Sequence, residues 1–87
     1  MKYEVTTAIY PMGRMDYPFI PGTERTQVLD TKTGLGKTIW EGYLEMNKGQ
    51  LPLNKDNFRK GADTFFEYLF KEGRDNWPRI RSIREID

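Results

Sequence analysis

The sequence predicts an α+β domain in which a small antiparallel sheet of about four strands packs one face against one amphipathic helix, in the order β-loop-β-β-α-β. Three observations predict this fold. Residues 2–10 alternate between apolar and polar side chains, residues 54–72 repeat apolar side chains at helical spacing, and Gly and Pro separate the segments between them. A chain of 87 residues is expected to form one domain, residues 1–87, around one small core.

The outer strands are predicted from alternation. Residues 2–10 place Tyr and β-branched side chains on one face, and residues 26–31 form a short second strand. The last strand, residues 79–86, follows a proline and is rich in isoleucine. Its isoleucines recur every three residues, which fits neither a regular strand nor a helix, so we predict a bulge near Ser82.

Residues 37–46 admit two interpretations. In the favoured one, the segment D-T-K-T-G-L-G is a hairpin turn in which Gly34 and Gly36 supply positive φ, and residues 37–46 return as a strand. In the other, Thr38 caps a short helix that Gly49 ends. The hairpin is the simpler structure because turn chemistry joins two neighbouring strands.

The helix is the clearest predicted element. Asn54 or Asp56 can cap it, and Gly73 is expected to end it. Apolar residues four and three positions apart form a stripe wide enough for one buried face. With the inward faces of the strands, the predicted core comprises Tyr3, Val5, Ile9, Val28, Trp40, Leu44, Phe58, Phe65, Leu69, Ile80 and Ile83.

Composition limits the chemistry. The chain has no cysteine and no histidine, and its net charge is +1. Disulfides and thiolate metal sites are therefore excluded, and the commonest general base and zinc ligand are missing. We predict a protein that is not an enzyme and uses no metal or cofactor. Because no apolar run is long enough for a membrane span and the N-terminal residues do not resemble a signal peptide, a cytoplasmic location is expected.

Residues 10–25 carry the main functional signal. They contain three of the five prolines, so they are predicted to form a loop, yet they are rich in aromatic residues, Met and Arg. Those residue types are enriched at the centres of protein interfaces. Alternatively, the loop folds back as a lid over the core. The candidate partner-binding residues are Tyr10, Met12, Arg14, Met15, Tyr17, Phe19, Ile20 and Arg25.

Arginines near the C-terminus suggest an alternative function. Arg79 and Arg81 are expected on one face of the last strand, where arginine beside an aromatic ring can bind phosphates and stack on bases. The near-neutral net charge is unlike that of most nucleic-acid-binding proteins, and the same arginines could simply protect a sheet edge. The candidate nucleic-acid-binding residues are Arg74, Trp77, Arg79, Arg81 and Arg84.

Residues 31–38, T-K-T-G-L-G-K-T, resemble the phosphate-binding loop of P-loop NTPases, most closely the variant of helicase-type ATPases. Gly36, Lys37 and Thr38 stand where that motif has its final Gly-Lys-Thr. The resemblance implies a strand before the loop, a helix after it and backbone N–H groups around a phosphate. The standard motif has Gly where this chain has Thr31, so the plain turn is favoured. A small anionic ligand would lie at Gly34, Gly36, Lys37 and Thr38.

The preferred functional hypothesis is a small non-enzymatic binding module. It would act as an adaptor, subunit or inhibitor, of the type common among accessory and phage-encoded proteins, and would bind another protein through residues 10–25. Nucleic-acid binding through the arginines is the alternative, and an anionic ligand at the glycine-rich turn is the second alternative.

Overall fold

Five elements of regular structure form the fold in a computed structural model, which describes residues 1–72 and 74–86. Within those residues, three strands form one antiparallel sheet in the order β2-β1-β3, and two helices pack on one of its faces. The α+β class is confirmed, but the predicted number of strands and helices is wrong. Neither helix of the described chain is long and apolar enough to cross a membrane. The elements are β1 (Lys2–Pro11), β2 (Arg25–Asp30), α1 (Gly34–Met46), α2 (Lys55–Phe70) and β3 (Asn76–Glu85).

The predicted hairpin is wrong because residues 34–46 form α1. Ile39 and Trp40 are buried together in the core, which helical spacing allows and strand alternation does not. Gly36 is also buried, and a Cβ at that position would overlap the backbone of Asp30 at the end of β2. The glycine therefore allows the first turn of α1 to lie directly against the sheet.

The start of α1 differs from that of the helical interpretation, whereas its end lies near the predicted Gly49. Its N-cap is Thr33, and Thr38 lies inside the helix, where its hydroxyl donates to a backbone carbonyl at 3.3 Å. At the other end, the N–H of Gly49 donates to the carbonyl of Leu44 at 2.8 Å, and Lys48 has a φ of 59°. This is a Schellman ending in which lysine occupies the left-handed position, so Gly49 follows the helix as predicted.

The predicted bulge near Ser82 is confirmed. The pairing of β3 with β1 shifts between Ser82 and Ile80, so that Arg81 is the extra residue. The bulge explains the unusual spacing of the isoleucines, because it places both Ile80 and Ile83 on the side of the sheet that packs against the helices.

The core lies between the sheet and the two helices. The rings of Tyr3 and Phe58 stack with centroids 4.8 Å apart and planes 13° apart, and both side chains are fully buried. Parallel-offset stacking of this type adds to the free energy gained from burial alone. The predicted core residues that are buried as expected are Tyr3, Val5, Trp40, Phe58 and Ile80.

The N-terminus of α2 and its contact with β3 are well defined. The predicted cap is confirmed, since the side chain of Asn54 accepts a hydrogen bond from the backbone N–H three residues later at 2.8 Å. The side chain of Arg59 donates to the carbonyl of Ile80 at 2.9 Å. The backbone N–H of Ile80 donates to the carboxylate of Asp63 at 3.4 Å. Two side chains of α2 thus cover part of the edge of β3. Gly73, predicted to end the helix, lies outside the described residues.

Several core predictions are wrong in position. Val28 is 54% exposed because it lies on the sheet face away from the helices, and Leu69 is 52% exposed. Of the two adjacent phenylalanines in α2, the buried one is Phe66, which is 7% exposed, and not the predicted Phe65. α1 packs against the flank of α2, so the buried stripe is rotated from the one that a single helix would present. The half-buried residues are Ile9, Leu44, Phe65 and Ile83.

Candidate functional site

The 12–24 loop connects β1 to β2, and backbone hydrogen bonds fix it near both ends. The N–H of Met12 donates to the carbonyl of Asp75 at 2.6 Å. The N–H of Ile20 donates to the carbonyl of Ile9 at 2.9 Å, and the N–H of Ile9 donates to the hydroxyl of Thr23 at 3.0 Å. The loop therefore continues the pairing along β1 beyond the end of β2.

A tight turn at the start of the loop packs on β3. Met12 and Gly13 have φ values of 52° and 66°, the combination found in type I′ turns. The backbone of Gly13 lies against the ring of Trp77 so closely that a Cβ would overlap it. Arg79 donates to the carbonyl of Gly13 at 2.7 Å. Only glycine combines this φ with this contact.

The inner side of the loop covers the sheet face away from the helices. Tyr10 is buried there, with its ring 6.0 Å from that of Phe19 in an edge-on arrangement. The guanidinium of Arg81 lies 4.4 Å from the centre of the Phe19 ring and forms an ion pair with Glu24. The pKa of Arg81 is raised, chiefly by its hydrogen bond to Glu24 and then by one to Tyr10. Phe19 thus covers the sheet face away from the helices, and not the core as the lid alternative expected.

The outer side of the loop presents apolar side chains to solvent. Met12 is 52% exposed, Met15 39% and Tyr17 44%. The guanidinium of Arg14 lies 4.9 Å from the centre of the Tyr17 ring and forms an ion pair with Asp16 at 2.8 Å. Its hydrogen bond to Asp16 is the main reason that the pKa of this carboxyl lies below its ordinary value. The ion pair and the cation–π contact limit the conformations of the exposed ring.

The eight predicted partner-binding residues are therefore divided between two layers. Arg25, at the start of β2, is exposed and donates to the carbonyl of Glu24 at 3.0 Å. Three residues are buried or half-buried, namely Tyr10, Phe19 and Ile20. Five residues remain exposed, namely Met12, Arg14, Met15, Tyr17 and Arg25.

The arginines of β3 that were predicted to bind nucleic acid have different acidic partners. Arg79 lies 3.5 Å from Asp63 on α2, whereas Arg81 pairs with Glu24 at the end of the 12–24 loop. Arg79 lies opposite Ala8, whose side chain is on the same face of β1 as Tyr10, and Arg81 lies over Phe19 on that face, so the two arginines share a face as expected. The guanidinium of Arg79 also reaches Asp63 on α2, so the two arginines have separate acidic partners.

The other members of this set are also in contact with neighbouring groups. Arg84 forms two hydrogen bonds to Glu4, at 3.0 and 3.3 Å, which lower the pKa of Glu4 and raise that of Arg84. Arg74 lies 5.3 Å from the centre of the Phe70 ring. The ring of Trp77 packs beneath the loop turn. A base could not stack on the covered side of this ring.

The glycine-rich segment 31–38 has the strand and the helix that the phosphate-loop resemblance requires, but not the loop between them. β2 ends at Asp30 and α1 begins at Gly34, which leaves three connecting residues. Gly36 packs on backbone, and the hydroxyl of Thr38 donates within the helix. The predicted turn at Gly34, Gly36, Lys37 and Thr38 is instead the first turn and a half of α1.

A second surface was not predicted from the sequence. The interhelical groove, about 310 Å³ in volume, lies between α1 and α2 on the side away from the sheet. Gly42 lines the groove without a side chain, and a Cβ at this position would meet no other atom within 4 Å. Met46 and Tyr68 at its rim are 68% and 85% exposed. The groove is lined by Thr38, Ile39, Gly42, Tyr43, Met46, Gly61, Thr64, Phe65 and Tyr68.

One signal in the sequence could have revealed this groove. Read as a helix, residues 34–46 have apolar side chains on more than one face, and Tyr68 lies outside the buried stripe of α2. Apolar residues beyond a core stripe mark a second contact surface.

The described part of the chain contains no cluster of three acidic side chains that could hold a metal ion. Two arginine–carboxylate pairs lie in or beside the 12–24 loop, Arg14 with Asp16 and Arg81 with Glu24. In comparisons with known proteins, no family model matches the chain, and no curated protein or solved structure is significantly similar to it.

Proposed function

We propose that the protein is a non-enzymatic binding module that recognises another protein through the exposed side of the 12–24 loop. The observation that carries this proposal is the exposure of Met12, Met15 and Tyr17 on a loop whose inner side is packed and hydrogen-bonded to the sheet. A role as adaptor, subunit or inhibitor in the cytoplasm is part of the same proposal.

The geometry favours binding because the loop is already ordered. Association costs free energy when flexible side chains and loops must be fixed. Here the positive-φ turn at Gly13, the contact of Phe19 with Arg81 and the bonds at Ile9 hold the backbone in the free chain. Tyr and Met side chains on such a backbone supply apolar contact area, and Arg14 supplies a polar group at its edge.

The charges favour a protein partner over a nucleic acid. Arg14, Arg79 and Arg81 each have a carboxylate partner within the described chain. Nucleic-acid affinity depends mainly on cations that are available to neutralise phosphates. Each arginine would first have to leave its carboxylate, and the net charge of +1 gives little long-range attraction.

The first experiment identifies the partner. A photo-reactive phenylalanine analogue replaces Tyr17 in the full chain, and cross-linking is performed in the source cell. A second protein carries the same analogue at Lys48, at the end of α1, as a control for proximity alone. We expect one dominant, nuclease-resistant protein adduct from position 17 and none of that mass from position 48. A nucleic-acid adduct from position 17 would contradict the proposal.

The second experiment measures the affinity of the identified partner by titration calorimetry. Tyr17→Ala should weaken binding by about 30-fold, the effect of losing a typical hot-spot residue. Tyr68→Ala is the matched control, because it removes an even more exposed tyrosine from the helical side. The proposal fails if Tyr68→Ala weakens binding and Tyr17→Ala does not. A steep decrease in affinity with salt would instead indicate phosphate contacts.

A further inference from the structure

We propose that the interhelical groove is the interface of a symmetric homodimer, in which α2 of one copy lies antiparallel to α2 of the other and each Tyr68 enters the groove of the opposite copy. This inference concerns the helical side of the molecule and is independent of the function proposed for the 12–24 loop.

The first reason is the apolar surface around the groove. Tyr68 and Met46 are the two most exposed of the large hydrophobic side chains in the described chain, at 85% and 68%, and both line the groove. The groove volume of about 310 Å³ accommodates one aromatic side chain. Gly42 lines the groove without a side chain, which leaves space there for an incoming ring.

The second reason is that one row of α2 is complementary to itself. Residues four positions apart lie on the same side of a helix, which places Lys60, Thr64 and Tyr68 in one row of α2. Glu72, in the turn that follows α2, extends this row, because it lines one shallow depression together with Thr64 and Tyr68. An antiparallel copy of this row places Lys60 opposite Glu72 and Thr64 opposite Tyr68, twice in each dimer. A two-fold interface requires this kind of self-complementary surface.

The charges of this row are available for such pairing. Neither Lys60 nor Glu72 forms an ion pair with another described residue. The neighbouring charges of the depression, Glu67 and Lys71, pair with each other at 3.5 Å. The row therefore presents one cation and one anion at opposite ends of an uncharged centre, an arrangement that favours the antiparallel orientation over the parallel one.

The test is sedimentation velocity of the full chain over a concentration series, with charge reversals as the main variants. We expect a concentration-dependent dimer. Lys60→Glu alone and Glu72→Lys alone should each weaken it by about tenfold or more, because each places like charges opposite one another twice. An equimolar mixture of the two variants should restore dimers, because every opposed pair in the mixed dimer again has opposite signs.

Two further variants test the groove. Tyr68→Ala should weaken the dimer by about 30-fold. Gly42→Leu should weaken it to a similar extent, because the leucine side chain would occupy space in the groove. Both variants should keep their fold, because Tyr68 is exposed and leucine is a better helix former than glycine. Tyr17→Ala is the matched control and should leave sedimentation unchanged.

Three results would overturn the proposal. One is a monomer at every concentration, which would leave the groove to a different protein or to a small apolar ligand. Another is a dimer that is insensitive to Tyr68→Ala and Gly42→Leu, which would place the interface elsewhere. The third is a charge-reversal mixture that associates no better than the single variants, which would exclude the antiparallel row.

Discussion

The 12–24 loop and the interhelical groove both expose Met and Tyr side chains, but they are built in opposite ways. The loop is a covered sheet face, where backbone hydrogen bonds and arginine–carboxylate pairs fix an outer layer above an inner one. The groove lies between two helices and is lined in part by Gly42, which has no side chain.

This difference shows that exposure alone does not define a binding surface. On the loop, the exposed rings and sulfurs are ordered by what lies beneath them, so their removal should change recognition and not the fold. In the groove, the exposed side chains border empty space. A larger side chain there should therefore affect binding as much as a truncated one. The variants below compare the two regions directly.

The largest expected effect is a difference in unfolding free energy between two neighbouring residues of α2, one in the core and one in the groove. Phe66→Ala should lower the free energy of unfolding by about 3–5 kcal/mol, because Phe66 is 7% exposed within the core. Phe65→Ala should cost less than half as much, because Phe65 is half-buried and lines the open groove. Urea unfolding of both variants measures the difference. A larger loss for Phe65 would mean that the groove is closed in solution.

Two glycines should respond with opposite signs. Gly13→Ala should lower stability by about 2–3 kcal/mol, because its φ of 66° is strained for alanine and its Cβ would overlap Trp77. Gly42→Ala should raise stability by about 0.5–1 kcal/mol, because the residue lies inside α1 with free space around it. Thermal unfolding tests both. If both substitutions changed stability equally and in the same direction, the loop and the groove would not differ in packing as described.

Within the loop, neighbouring aromatic residues should separate stability from recognition. Phe19→Ala should cost about 1–2 kcal/mol, because its ring packs on Tyr10 and beneath Arg81. Tyr17→Ala should change stability by less than about 0.5 kcal/mol, as exposed substitutions usually do. Chemical denaturation distinguishes them. A comparable loss of stability for Tyr17→Ala would show that the exposed side of the loop also packs on the sheet.

The smallest expected effect is a pH dependence of the loop. The pKa of Asp16 is lowered by Arg14, so its contribution to stability is present above the unfolded-state pKa and is lost as the pH falls through the folded-state value. Loop stability should therefore decrease below about pH 4. Carboxyl NMR titration should show a depressed pKa that Arg14→Ala returns to the ordinary value. Titration of Asp16 at or above its usual pKa would contradict the ion pair.

The elements with a clear period could be predicted from the sequence. The strand at 2–10, the helix capped by Asn54 and the bulge near Ser82 follow from local spacing and capping chemistry. Residues 34–46 were predicted wrongly as a turn and a strand, because turn residues and helical spacing overlap there. Tertiary packing decided between them, since the helix allows Gly36 to lie on the backbone of Asp30.

The division of the loop into two layers was also beyond the sequence. Tyr17 and Phe19 are both aromatic residues of a Pro-rich loop, and the contacts that cover Phe19, with Tyr10 and Arg81, come from residues distant in the sequence or on another strand. Likewise, the groove depends on the rotation of α2 against a helix that the sequence had assigned as a strand.

The central claim is that the 12–24 loop is a preformed surface, and backbone ¹⁵N relaxation of the free protein tests it most directly. Order parameters for residues 12–24 should be about 0.85, equal to those of the strands, because both ends of the loop are hydrogen-bonded to the sheet. Values below about 0.6 across the loop would show that it is flexible in the free chain, and they would contradict the claim.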